Sequence, residues 1–170
     1  DKYLMSNEPG RFAEMDLNII LEHCSNFSVS DITLQSGEYI HIEEYGKLHP
    51  ITRKQLTTAE VGDILNGIYG ANGTTRLLSG EDIDTNYEFK PSRAQRLRFR
   101  VNATACLVDG HEAIQITMRT IPTDPPTLKE IGLEENIIKG MAPNDGVVYV
   151  TGVTGSGKST LLAGIIRNIA

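Results

Sequence analysis

The residues best suited to chemistry run from Gly152 to Ser159 and match the pattern G-x-x-x-x-G-K-[ST] without a deviation. Glycines let a backbone turn tightly and bring its N–H groups directly against phosphate oxygens. In such a loop the lysine, here Lys158, reaches the β- and γ-phosphates, and the hydroxyl of Ser159 helps to hold Mg²⁺. The motif therefore predicts a site for a nucleoside triphosphate and its magnesium ion.

The sequence on both sides of the motif supports this prediction. The apolar run at residues 147–150 predicts a buried strand before the loop, and five aliphatic residues at helical spacing predict a helix after it. The start of that helix adds a favourable dipole for an anion. A glycine-rich turn that binds nothing is the alternative, and a chance match has a probability on the order of 1% or less. The expected nucleotide contacts are Gly152, Thr154, Gly155, Ser156, Gly157, Lys158, Ser159 and Thr160.

Arginines at alternate positions, Arg96, Arg98 and Arg100, predict a strand with three guanidinium groups on one side. Arginine suits phosphate because its planar fork donates two parallel hydrogen bonds. The alternative is a set of cross-strand ion pairs, with Glu88, Asn86 and Asp84 opposite the three arginines respectively. A nucleic-acid surface is disfavoured because no exposed aromatic residues are interleaved. We expect Arg98 and Arg119 to contact a nucleotide and Arg96 to be structural.

The region before the motif has the pattern of a mixed helical and stranded domain. Apolar spacing predicts helices over residues 16–25, 57–70 and 75–79, and the middle one begins with a Thr57-x-x-Glu60 capping box. Alternation predicts strands over residues 30–35, 39–43, 82–89, 96–103 and 114–119. Asp109-Gly110 is typical of a hairpin turn. A further short helix is predicted over residues 134–139.

Composition narrows the function classes. The 170 residues carry a formal charge of −6, which argues against a general nucleic-acid binder. No apolar run approaches the ~20 residues that span a bilayer, and the first residues lack a signal-peptide core. The two cysteines are predicted to be buried thiols. We therefore expect a cytoplasmic protein.

Three prolines, Pro122, Pro125 and Pro126, interrupt regular structure and predict a stiff connector. The predicted organisation is a tail at residues 1–15, a first domain at 16–121, a proline-rich linker at 122–133, and the beginning of a second domain at 134–170.

Several stretches resemble the type II/IV secretion ATPase family, which includes PilT-like pilus motors. RFRVN at 98–102, MRTIP at 118–122 and TGVTGSGKST at 151–160 look like the motifs of that family, in the same order. EDIDTNYEF, RVNATACLVDGHEAIQITMRTIP and VYVTGVTGSGKSTLLAGIIR are closer still to its DotB/TraJ branch, which serves type IVB secretion and conjugative transfer. The resemblance covers roughly residues 16–170.

The resemblance implies an α/β chain: an α+β PAS-like N-terminal domain followed by the start of a RecA-like P-loop ATPase domain, truncated. It implies ATP and Mg²⁺ as cofactors and Arg98, Arg100 and Arg119 as phosphate contacts. It also implies a homo-hexamer in which ATP turnover drives domain motion. It places the protein at the inner membrane through other secretion-system components, with no direct nucleic-acid contact.

The metal-holding acid and catalytic glutamate of the family lie beyond the loop helix, so no catalytic residue is expected in this chain and the chain alone should not hydrolyse ATP. A pilus retraction or assembly motor and a non-catalytic docking or regulatory module are the alternatives.

Overall fold

The computed structural model describes residues 2–93, 95–122, 125–141, 143, 145–153 and 156–169. The chain divides into two units, Asp1–Ile121 and Pro122–Ala170. None of the helices formed by these described residues has the length and apolar character needed to cross a membrane.

Unit 1 is built around a single antiparallel sheet. Its strands are β1 Val29–Gln35, β2 His41–Glu44, β3 Lys47–Pro50, β4 Ile83–Phe89, β5 Leu97–Val108 and β6 His111–Ile121. They lie in the order β3-β2-β1-β6-β5-β4, so β1 pairs with β6 and joins two three-stranded meanders. All the strands predicted in this unit are present, whereas the pairing of β1 with β6 is not readable from alternation.

The turn between β5 and β6 has the predicted hairpin geometry. Asp109 and Gly110 both have positive φ, 50° and 78°, and Val108 pairs with His111. Two residues with positive φ form the turn whose twist matches that of the flanking strands. The register of the hairpin follows from this turn.

The helices of unit 1 are α1 Leu17–Cys24, preceded by a 3₁₀ turn at Glu14–Asp16, α2 Thr58–Tyr69 and α3 Gly73–Leu78. Against the sheet, α2 contacts β6 and β1 and α3 contacts β5. One face of the sheet is therefore apolar, with side chains such as Ile32, Val101 and Ile116 fully buried. The opposite face carries the polar residues that alternate with them.

Glu60 ties three segments of unit 1 together at the start of α2. Its side chain is buried and accepts hydrogen bonds from the N–H of Phe12 (2.8 Å), the N–H of Thr57 (2.8 Å) and the ammonium of Lys54. The hydroxyl of Thr57 accepts in return from the N–H of Glu60 (3.2 Å), which completes the predicted capping box.

Unit 2 contains α4 Glu135–Gly140 and α5 Lys158–Ile169. Both helices were predicted. The predicted strand at residues 147–150 is wrong for the described structure: no strand forms there, and Val147 and Tyr149 are 73% and 84% exposed. A strand requires neighbours to complete its hydrogen bonds, and no described strand pairs with this run.

Two further expectations need correction. In the β4–β5 hairpin, Glu88 opposes Arg98 and Asn86 opposes Arg100, a register two residues away from the predicted one. Both cysteines are free, but only Cys24 is buried, where burial raises the pKa of its thiol to about 12, while Cys106 is half-buried.

We expect Glu60→Gln to destabilise unit 1 by about 1.5–3 kcal/mol, because it removes the charge from several hydrogen bonds. Burial raises the pKa of Glu60, but hydrogen bonds from Lys54, Thr57 and Phe12 outweigh burial and lower it to about 2. The stabilisation is therefore complete above the unfolded pKa of about 4.3 and is lost as pH falls towards 2. Urea denaturation at pH 7 and at pH 3 measures both effects. Glu22→Gln, at an exposed position of α1, is the control, and equal losses for the two variants would contradict the assignment.

Candidate functional site

The described part of the phosphate-loop motif lies at the start of α5. Gly157 has a φ of 86°, a left-handed conformation that favours glycine. The N–H of Leu161 donates to the carbonyl of Gly157 (2.9 Å), which is the first hydrogen bond of the helix. The N–H groups of residues 158–160 have no acceptor within the helix itself, as at any helix start, and such groups suit an anion. Thr154 and Gly155 lie outside the described residues.

The other glycine of the described loop, Gly152, allows a close backbone approach. A Cβ atom placed there would lie 2.7 Å from Oγ of Ser156. The ammonium of Lys158 donates to the carbonyl of Val153 (2.5 Å), so the lysine is folded over its own loop. A phosphate oxygen would compete with this carbonyl for the ammonium.

The loop borders a cavity of about 270 Å³. Its lining includes the apolar residues Leu133 and Val150 and the polar residues Ser156, Lys158 and Thr160, so four of the predicted contacts, counting Gly157, lie together. Ser159 is exposed at the second position of α5, so its hydroxyl is accessible to a metal ion bound beside the phosphates. Within the described ranges no three His, Cys, Asp or Glu side chains cluster as a metal site.

A segment predicted to be linker supports the loop helix. Thr127 and Glu130 form a capping box, with the N–H of Thr127 donating to Glu130 (2.7 Å) and the N–H of Glu130 to the Thr127 hydroxyl (3.2 Å). Hydrogen bonds donated by the N–H and by the hydroxyl (2.8 Å) of Thr127 lower the pKa of Glu130. Leu128 of this turn is buried, and a Cβ on Gly164 of α5 would lie 3.1 Å from it. The Thr-x-x-Glu pattern could have predicted this turn from the sequence.

The polar face of the sheet in unit 1 places two arginines next to each other. Arg119 on β6 opposes Arg100 on β5 and, on its other side, Asp31 on β1. In the next row, Thr117 opposes Asn102, which opposes Asp84 on β4. These rows surround a cavity of about 370 Å³, here called the arginine cup, with the lining residues Asp31, Asp84, Arg100, Asn102, Thr117 and Arg119.

Each arginine of the cup is paired with a carboxylate. Arg119 donates from Nε to Asp31 (2.9 Å), and Arg100 donates from Nε (3.3 Å) and Nη2 (2.8 Å) to Asp84. The hydrogen bond with Asp84 raises the pKa of Arg100, and the same bond lowers the pKa of Asp84. The ion-pair alternative for these arginines therefore has direct structural support, although the remaining N–H donors still permit contact with an anion.

Arg98 lies outside the arginine cup. It opposes Glu88 and Ile121, and its Nε is 4.0 Å from the Glu88 carboxylate, while Arg96 lies 3.5 Å from the same residue. The arginines that the sheet brings together are Arg100 and Arg119, not the preferred pair Arg98 and Arg119. The two-residue turn at Asp109-Gly110 already fixes Arg100 opposite Arg119, so the sequence contained this signal.

Comparison with known proteins places the chain in a family, although no family model matches it. The structure of the Legionella pneumophila ATPase DotB matches with a TM-score of 0.88 and 58% identity, over 98% of this chain and 45% of that one. The pilus retraction motor PilT with bound ADP matches with a TM-score of 0.62 and 26% identity, over 90% and 42%. The type IV pilus retraction ATPase PilT of Pseudomonas aeruginosa is 31% identical over 153 residues, 89% of this chain and 42% of that protein.

This chain belongs to the type II/IV secretion ATPase family, on the DotB branch. The resemblance and the mixed α/β fold predicted from the sequence are thereby confirmed. The chain spans less than half the length of each of these three family members. The assignment of individual site residues and the exact domain bounds stay predictions.

We expect Gly157→Ala to weaken the binding of Mg-ATP roughly tenfold, because an alanine in the left-handed region costs about 1–2 kcal/mol. Fluorescence titration with an ATP analogue measures the dissociation constant. Gly140→Ala is the matched control, since Gly140 ends α4 without a positive φ and nothing lies within 4 Å of a Cβ placed there. Unchanged affinity for Gly157→Ala would show that this turn does not hold the phosphates.

Proposed function

We propose that this chain is the N-terminal part of a hexameric ATPase that powers a type IVB secretion or conjugative transfer apparatus through ATP-driven domain motion. The observation that carries the proposal is the 58% identity with DotB over 98% of this chain, with the phosphate-loop motif intact at a helix start. A pilus retraction or assembly motor is the second candidate, supported by the 31% identity with PilT. The higher identity and TM-score favour the secretion motor.

The described residues fit the phosphates of ATP. The N–H groups at the start of α5, the left-handed Gly157 and the ammonium of Lys158 can surround a chain of phosphate oxygens. The ADP in the PilT structure supports a nucleotide as the ligand. A Mg²⁺ ion would draw on the hydroxyl of Ser159 and on phosphate oxygens, which are the hard ligands that it prefers. When bound, the ion neutralises charge on the transferring phosphoryl group.

The arginines of unit 1 are the second part of the proposal. Arg100 and Arg119, which share the arginine cup, and Arg98 one row away would contact the phosphates of bound nucleotide. Directly opposed like charges destabilise a sheet. The opposition of Arg100 and Arg119 is therefore better explained by a role in binding an anionic ligand than by a contribution to the stability of the sheet. The exposed pair of Arg100 and Asp84 can exchange the carboxylate for phosphate at little cost, and Arg119 keeps N–H donors that its pair with Asp31 does not use.

The whole protein is proposed to act in the cytoplasm, attached peripherally to the inner membrane through other components of the secretion system. The metal-holding acid and the catalytic glutamate would lie in the portion of the relatives that this chain does not span. ATP turnover should therefore be measured on the full-length protein, whereas nucleotide binding can be measured on this chain.

We expect Mg-ATP at 100 times its dissociation constant to stabilise this chain by about 2.7 kcal/mol. Lys158→Ala should abolish this gain because it removes the ammonium that contacts the terminal phosphates. Thermal shift measures both, with Lys139→Ala, an exposed lysine in the last turn of α4, as the control. Absence of a shift in the full-length protein would favour a non-catalytic docking module over a motor.

In the full-length protein, Arg98→Ala and Arg119→Ala should each lower ATP turnover about tenfold or more, the order of effect expected for an arginine that stabilises phosphoryl transfer. Their folding should be unaffected, since both side chains are exposed. Steady-state ATPase assays and thermal midpoints test this, with Arg76→Ala on α3 as the control. Normal ATP turnover in both variants would show that Arg98 and Arg119 do not act on the nucleotide.

A further inference from the structure

Arg119 has neighbours of opposite kinds on its two sides in the sheet. Arg100 on β5 directly opposes it and repels it, and Asp31 on β1 directly opposes it and attracts it. On the far side of Asp31 lies Glu43 of β2, so the row reads two carboxylates followed by two guanidinium groups. The side chain of Arg119 is therefore drawn towards β1 and away from Arg100.

The backbone of β1 is irregular at this point. The register between β1 and β2 shifts between Val29 and Asp31, which indicates a β-bulge at Ser30. Bulges bend a strand and re-aim the side chains beside them. Here the residue immediately after the bulge is Asp31, and from this residue onwards β1 pairs with β6 in regular register.

The ion pair between Asp31 and Arg119 is asymmetric in exposure. The side chain of Asp31 is only 15% exposed, whereas that of Arg119 is 73% exposed. Asp31 therefore acts as an anchor that water reaches poorly, and the guanidinium that it holds remains accessible to a ligand.

The carboxylate contacts Arg119 through Nε alone (2.9 Å). A guanidinium has five N–H donors, so the four on the two terminal nitrogens remain for an anion. These are the donors of the planar fork that binds phosphate by two parallel hydrogen bonds. Asp84, in contrast, is 56% exposed and takes both Nε and Nη2 of Arg100.

We propose that Asp31 is a positioning residue that holds the guanidinium of Arg119 through Nε and leaves its terminal nitrogens to bind phosphate oxygens of a nucleotide. This inference rests on the proposed function, because it assumes that Arg119 contacts phosphate. Asp31 does not touch the nucleotide and acts only through Arg119.

The test is a double-mutant cycle in the full-length protein, with Asp31→Asn, Arg119→Ala and the combined variant. Asn keeps the size of Asp31 but removes its charge, so Asp31→Asn should lower kcat for ATP roughly fivefold. KM should stay within about twofold, because the loop at Lys158 supplies ground-state binding. In the Arg119→Ala background, Asp31→Asn should have no further effect. Asp82→Asn, at an exposed carboxylate just before β4, is the control.

The outcomes separate the two levels of the proposal. If Arg119→Ala loses activity and Asp31→Asn does not, the positioning role is wrong and the nucleotide contact stands. If Arg119→Ala itself is normal, both fail together. If the two losses multiply in the combined variant, or if Asp31→Asn lowers the thermal midpoint as Asp82→Asn does not, Asp31 is merely structural and the inference is overturned.

Discussion

The antiparallel pairing of β1 with β6 is the contact on which unit 1 depends. Without it, residues 29–50 and 83–121 would be two separate meanders, each with two open edges. The same pairing sets Asp31 against Arg119 and so completes the polar arrangement on one face while Ile32 meets Met118 on the other. Because side chains alternate along a strand, a slip of one residue would move the apolar set to the wrong face and break the ion pair at the same time.

Local elements were predictable because their causes are local. The capping box of Thr57 and Glu60, the turn at Asp109-Gly110 and the alternation along β5 each depend on residues a few positions apart. The pairing of β1 with β6 joins Asp31 to Arg119 across 88 positions and has no such local sequence pattern. The β4–β5 register was wrong for a related reason: a polar loop of uncertain length, unlike a two-residue turn, does not fix which residues oppose each other.

In the candidate site, too, features set by neighbouring residues were predictable and features that depend on strand pairing were harder to predict. The motif at 152–159 predicted a phosphate loop from residue types and spacing. Gly157 has the left-handed conformation that favours glycine, and Lys158 is folded over its own loop. Val147 to Val150 illustrate the limit of that reasoning, since an apolar run forms a strand only beside partners that complete its backbone hydrogen bonds. The choice among Arg98, Arg100 and Arg119 depended instead on strand pairing, which the two-residue turn at Asp109-Gly110 fixes between β5 and β6.

The arginine cup contains two guanidinium groups and two carboxylates, so its formal charge cancels. The chain as a whole is negative, at −6. A nucleotide, which is also an anion, gains nothing from this face at distances beyond the Debye length of about 8 Å in physiological salt. Arg100 and Arg119 would therefore recognise phosphate through short-range hydrogen bonds, and the cup itself has no net charge with which to attract a nucleotide from a distance.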